Sequence, residues 1–191
     1  GRWIDVPDSR AWTAAQPPRP QLQMVWPESR LASPPQVSVP RGYTLRPYDE
    51  RDEPAYLALL SRVDLAHWDA KQFAGVRQSV LPGGLFVIEH DASGSVVATA
   101  MAQHSPTAQH PAGGQVGWVA ADPDHKGRGL GRAVTAAATA RLLAAGYRRI
   151  YLSTDDFRLP AVKSYLATGF EPLLYCEGMA ERWEALRAAL R

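Results

Sequence analysis

One cysteine, Cys176, stands among the 191 residues of this chain, so no intrachain disulfide is available and a reducing compartment fits. No apolar run reaches the roughly 18 residues that a membrane-spanning helix needs. The first residues lack the charged-then-apolar pattern of a secretion signal, and the expected location is cytoplasmic. Lysine is scarce, at 3 of 21 basic residues, and the net charge is only +2 with the charges dispersed. No basic run with interleaved aromatics is present, which argues against a nucleic-acid partner. The five histidines show no H-x-x-x-H spacing, so no metal site is expected.

What the chain does have is a hydrophobic fraction of 46%, enough for one well-cored domain and an appendage. Residues 1–40 are rich in proline, which removes hydrogen-bond donors and blocks helices, yet they carry Trp3, Trp12 and Trp26. That combination predicts an extended arm packed across a surface, with residues 21–26 as a strand. The arm is a candidate contact with a second copy of the chain, hence a homodimer. Residues 41–191 form the expected domain. Within it the patterning predicts strands at 42–46, 85–90, 96–103, 115–121, 149–153 and 173–176. Helices are expected at 53–63, 64–80 (ended by Pro82, Gly83 and Gly84), 129–145, 159–168 and 179–190. The fold class is α/β.

The most informative stretch is 119–133, VAADPDHKGRGLGRA, read as a strand end, a turn and a helix start. Gly127, Gly129 and Gly131 alternate with Arg128 and Leu130, and Lys126 and Arg132 flank them. Glycine lets the backbone turn its N–H groups toward one point. The helix N-terminus adds unpaired donors and partial positive charge, which together make a phosphate cradle. The spacing G-x-G-x-G departs from the dinucleotide-binding G-x-G-x-x-G, and the Gly-Lys-Ser/Thr of a P-loop is absent.

Written as Val119-x-Ala121-x-Pro123-x-x-Lys126-x-x-Gly129-x-Gly131, the stretch resembles motif A of the GCN5-related N-acetyltransferase (GNAT) superfamily. About 30 residues on, Ala161-x-x-x-Tyr165-x-x-x-Gly169-Phe170 resembles its motif B. Two positions depart from the family pattern: Lys126 stands for the usual Arg or Gln, and Arg158 for an Asn that commonly touches the pantetheine arm. The resemblance spans about residues 43–174. The catalytic half also resembles that of mycothiol synthase, a family with two such domains in tandem.

The resemblance implies a mixed central sheet flanked by helices, whose two parallel strands splay to admit the pantetheine of acetyl-CoA. Val119 and Ala121 would pair with that arm, Lys126 to Arg132 would hold the pyrophosphate, and Arg158 and Ala161 would complete the cofactor wall. Tyr165 would be the general acid that protonates the leaving thiolate. The general base is left open. The family's usual glutamate on the motif-A strand is absent here, and Asp155, Asp156 and His104 are the named candidates, with His67 and Glu89 behind them. Asp122 is expected to cap the turn before Pro123. The implied activity is transfer of an acetyl group to a primary amine on a small molecule, by direct attack in a ternary complex. The alternatives are a non-catalytic acyl-CoA-binding sensor or scaffold, and an enzyme that uses a longer acyl-CoA.

Overall fold

A computed structural model of the chain describes residues 19–191. Seven strands make one sheet: β1 (Leu22–Val25), β2 (Tyr43–Pro47), β3 (Val80–His90), β4 (Ser95–His104), β5 (Gly114–Ala121), β6 (Ile150–Thr154) and β7 (Glu171–Leu173), in the order β2-β3-β4-β5-β6-β1-β7. Five helices flank it: α1 (Glu53–Arg62), α2 (Ala70–Arg77), α3 (Leu130–Ala144), α4 (Leu159–Thr168) and α5 (Met179–Ala189).

Side chains alternate across each strand, so neighbouring residues serve opposite faces. Ile88, Ala100, Val116, Ile150 and Leu152 join the core under α3, α4 and α5, while Val87, Met101 and Ala120 join a second core under α1 and α2. The alanine-rich face of α3 explains its close seat on the first side: Ala133, Ala136, Ala137 and Ala138 are all buried. The helix ends where Gly146 takes a left-handed conformation (φ 86°), and the Tyr147 N–H then closes on the Leu142 carbonyl.

Every strand pair is antiparallel except β5 and β6. Those two are parallel and pair only at Gly114 with Ile150 and at Gln115 with Tyr151. Beyond these residues the strands diverge, leaving the β6-facing edge of β5 open from Val116 onward. On its other edge β5 carries one extra residue. Two steps along β4, from Thr99 to Met101, span three along β5, from Ala120 to Gly117. The extra residue makes a bulge in which Trp118 sits at φ 52°. Non-glycine residues seldom adopt that conformation, and it cluster at functional sites when it occurs.

Three expectations need correction. The strand expected at 21–26 is found as β1, but it does not lie across a surface; it is hydrogen-bonded between β6 and β7 inside the sheet. Leu22 and Met24 face the first core and are fully buried, which is why so short a segment holds its place. The second helix covers only Ala70–Arg77, because Asp69 caps its start by accepting from the Gln72 N–H at 2.8 Å. Pro82, Gly83 and Gly84 lie within β3 at a register shift, instead of ending a helix. The expected arm residues Trp3 and Trp12, and with them part of the expected dimer contact, lie outside the described residues.

Candidate functional site

The loop between β5 and α3 is held from both sides before its glycines begin. Asp122 accepts from the Asp124 N–H at 2.9 Å and from Arg62 of α1 at 2.7 Å, so it both caps the turn Pro123–His125 and anchors it. Arg62 also reaches Asp124 at 2.6 Å. From the other side, the Tyr43 hydroxyl of β2 bonds the Nδ1 of His125 at 2.7 Å. Gly127 (φ 77°) and Gly129 (φ 76°) then take left-handed conformations open to glycine at little cost. Gly131 is already helical, and a Cβ there would meet Ser164 Oγ at 3.7 Å, an ordinary contact.

Among the described residues, none of the backbone N–H groups at 127–132 has a backbone or side-chain acceptor; the first bonded one is Ala133, which donates to the Gly129 carbonyl at 3.0 Å. Lys126, Arg128 and Arg132 are exposed around this row of donors, whereas Leu130 is buried as the plug that seats the helix. The Arg128 guanidinium lies 5.8 Å from the centre of the Tyr43 ring. Free donors, a helix N-terminus and three cations make an anion cradle.

The open edge of β5 runs straight into this cradle. Val119 is half-buried on the side of α3, and Ala121 is exposed at the strand end. Across the gap, counting on from the paired register, Thr154 comes level with Trp118 and Asp155 with Val119. Thr154 shares the strand face of Ile150 and Leu152, is buried, and among the described residues its Oγ1 has no partner. An orphaned hydroxyl of this kind costs stability until something supplies a partner. The unpaired strand edge, the row of free N–H groups and this hydroxyl together suit an extended ligand with a polar arm that leads to a diphosphate.

Tyr165 sits on α4 facing the first core, 5% exposed. Burial pushes its phenol well above the usual tyrosine range, with Arg158 opposing only in part, so it is protonated throughout the physiological range. Ala161 lies one turn before it on the same helix, half-buried against the core. Arg158, just ahead of α4, donates to Asp155 at 3.4 Å and lies over Phe157, a ring that is 76% exposed.

The three named base candidates do not converge. Asp155 accepts from Arg158 and from Gln21 Nε2 at 3.2 Å. Asp156 is clasped by both arms of Arg182 of α5, with Arg19 at 3.5 Å; the Arg182 hydrogen bond holds its carboxyl below the usual range and makes it a weak base. His104 bonds the Tyr147 hydroxyl at 2.8 Å at the far end of β4, opposite Gly114. Glu89 is engaged by Arg46 at 2.8 Å on the distant β2–β3 edge.

On the α1–α2 side the gap has a different lining. Trp118 is turned by the bulge against Trp68, ring centres 4.4 Å apart and near perpendicular, and Trp68 continues onto Phe73 and Tyr56. Gln103 is buried, and a Cβ at Gly117 would overlap its side-chain oxygen, so Gly117 is needed for that close approach. His110 was not among the expected site residues. It is fully buried, stacks on Tyr151 at 3.9 Å, accepts from Arg149 at 2.9 Å and bonds Gln23 Oε1 at 2.6 Å. Burial, helped by Arg149, pushes its pKa down to about 4. No sequence signal marks it, because its partners are Gln23 of β1, Arg149 just ahead of β6 and Tyr151 of β6. Among the described residues no group of three His, Cys, Asp or Glu side chains is placed to hold a metal ion, and no helix is long and apolar enough to cross a membrane.

Comparison with known proteins places these features in context. The Acetyltransferase (GNAT) family matches residues 44–170. A mycothiol acetyltransferase of Thermobispora bispora is 32% identical over 146 residues, covering 71% of this chain and 49% of that protein. A GCN5-related N-acetyltransferase from Sphaerobacter thermophilus has a similar fold, with a TM-score of 0.62 at 24% identity over 81% of this chain and 50% of that one. A tandem GNAT protein from the clavulanic acid biosynthesis pathway superposes with a TM-score of 0.59 at 22% identity, over 80% of this chain and 50% of that one. The chain spans about half the length of the curated relatives it matches.

Proposed function

The chain belongs to the acetyltransferase (GNAT) family, and from that premise we propose that it transfers an acetyl group from acetyl-CoA to a primary amine on a small molecule. The observation that carries this reading is one of position. Pairing of β5 with β6 stops after Gln115, and the edge so opened leads to the free N–H row at 127–132. A pantetheine arm would satisfy the first and its pyrophosphate the second.

Acetyl-CoA supplies an acyl group already activated as a thioester. The residues of the chain would do the rest. Val119 and Ala121 offer main-chain groups to the pantetheine, and the N–H at Val119 is the donor proposed for the thioester oxygen as charge builds there. Lys126, Gly127, Arg128, Gly129, Leu130, Gly131 and Arg132 hold the diphosphate, with Arg158 and Ala161 on the α4 wall. Tyr165, kept neutral by burial, supplies the proton that the leaving sulfur takes. Amine and thioester are held together, so no covalent enzyme intermediate is needed.

A second reading, a non-catalytic acyl-CoA-binding module, draws on the engagement of Asp155 and Asp156 in ion pairs. Thermal melts with CoA and acetyl-CoA test the cradle: a clear rise in Tm with both is expected, and no rise at millimolar ligand would refute it. Release of free thiol in the presence of mixed amines then separates the two readings, since a binding module never turns over. A melt series with longer acyl-CoAs tests the third alternative, a different donor.

A further inference from the structure

Resting on the acyl-transfer reading, we infer that the acceptor is a weakly basic amine, with an appreciable neutral fraction at pH 7, carried on an apolar or aromatic body. The argument starts from proton accounting. An alkylamine with a pKa of about 10.4 is only about 0.04% neutral at pH 7, whereas an α-amine with a pKa of about 7.8 is roughly 14% neutral. An enzyme that serves the first kind needs a group to take its proton; one that serves the second does not.

No such group stands free at this gap among the described residues. Asp155 is level with the bulge but is held by Arg158 and Gln21. Asp156 is clasped by Arg182. Asp122 is filled by Arg62 and the Asp124 N–H. Both ring nitrogens of His67 are bonded, Nδ1 to Ser61 Oγ at 2.9 Å and Nε2 to Asp64 at 2.7 Å. His110 is spent on Gln23 and Arg149. His104 pairs across from Gly114, four to five residues from the bulge, and at about 3.3 Å per strand residue that is roughly 13–17 Å from the reacting centre.

The wall of the gap on this side matches the same acceptor. Gln115 and Gly117 of β5 and Tyr151 and Ser153 of β6 alternate with residues of the first core, so they face the α1–α2 side, and none carries a charge. Beside them Trp118 and Trp68, both half-buried, present an aromatic surface continuous with Phe73. Such a surface rewards a flat apolar body, and it supplies no carboxylate to pair with the several charges of a polycation.

The chemistry balances without a base. The nitrogen lone pair forms the new C–N bond as the C–S bond breaks. The electron pair of that bond goes to sulfur, which takes the Tyr165 proton. The nitrogen then sheds one proton to water, and the Tyr165 oxygen takes one back.

The test uses the full chain with acetyl-CoA and three probes: phenylalaninamide, 4-methoxyaniline and phenethylamine. At pH 7 kcat/KM for phenylalaninamide should exceed that for phenethylamine at least tenfold, and the phenethylamine value should rise about tenfold per pH unit from 6 to 8. Quenching of tryptophan fluorescence by phenylalaninamide, with CoA present, reads acceptor binding without turnover. Trp68→Ala should weaken that binding about tenfold and leave the CoA-induced rise in Tm unchanged, with Trp68→Phe as the milder variant should the first not fold. Equal use of phenethylamine at pH 7, or a flat pH profile for it, overturns the inference, because either demands a base. Failure of both weakly basic probes while CoA still raises Tm also overturns it and leaves the acyl-CoA reading standing. No rise in Tm overturns both.

Discussion

On the α3–α4 side of the β5–β6 gap, the proposed site is made almost wholly of main chain: an unpaired strand edge, a row of N–H groups and one orphaned hydroxyl. On the α1–α2 side it is made of side chains, with two tryptophans, neutral polar groups and a buried histidine drawn from five separate stretches of sequence. The first kind of site accepts many side chains so long as the backbone can turn. The second is set by which side chains meet, so it is where acceptor choice would be written. Substitutions on the two sides should therefore fail in different ways.

The largest expected effect is on the main-chain side. Gly129→Asp places a carboxylate beside the diphosphate, and two unit charges about 5 Å apart repel by roughly 3 kcal/mol at an effective dielectric constant of about 20. CoA affinity, read by calorimetry, should fall at least about 100-fold, while Gly131→Ala, helical and with room for a Cβ, should change it little. Equal loss in the two variants would break the distinction between a backbone cradle and simple crowding.

Tyr165→Phe should lower kcat by about 100-fold with the Kd for CoA nearly unchanged. Parallel loss of both would make Tyr165 a packing residue.

The side-chain face should respond to acid. The folded protein holds His110 at a pKa of about 4, below the ordinary 6.5, so the unfolded chain takes up the proton first. The stability contributed is complete above about pH 6.5 and is lost as pH falls toward 4, amounting to about 2 kcal/mol by pH 5. Urea melts at pH 7.5 and pH 5 should show that drop, and His110→Phe should flatten it. An unchanged pH dependence in the variant would assign the acid sensitivity elsewhere.

The smallest effect belongs to Thr154→Val. Removing a buried hydroxyl without a partner should raise the Tm of the free protein slightly, and losing it as a ligand contact should weaken CoA binding about fivefold, near 1 kcal/mol. A fall in Tm would mean that the hydroxyl already has a partner in the free protein.

The same contrast governs what could be read from the chain beforehand. The cradle depends on local sequence, glycine spacing followed by a helix start, and the expected helix at 129–145 lies within a residue of Leu130–Ala144 at each end. α4 begins and ends as its pattern predicts, stopped by Gly169 at φ 122°. The parallel pair and its splay followed from the family resemblance, not from composition. What escaped was set by distant partners. The strand expected at 21–26 is present as β1, but its place is not written locally: its neighbours in the sheet lie 125 or more residues away. Pro82, Gly83 and Gly84 look like a helix stop, yet β4 draws them into β3 at a register shift. Trp118 carries no sign in its neighbours that the backbone will reverse there, and His110 none that Gln23 and Arg149 will enclose it.

β1 also sets a problem of timing. Val25 leaves the ribosome long before Tyr151 and Glu171, the residues it will lie between, and Leu22 long before Thr154. Until those arrive, a short apolar segment with free hydrogen-bonding edges waits in solution, and contacts this remote in sequence form slowly. Among the described residues, the last strand, β7, is joined to the sheet only through β1. Late closure around a segment made early is expected to limit the rate of folding, and refolding followed by tryptophan fluorescence, against a chain shortened past Val25, would show whether the sheet can be completed without it.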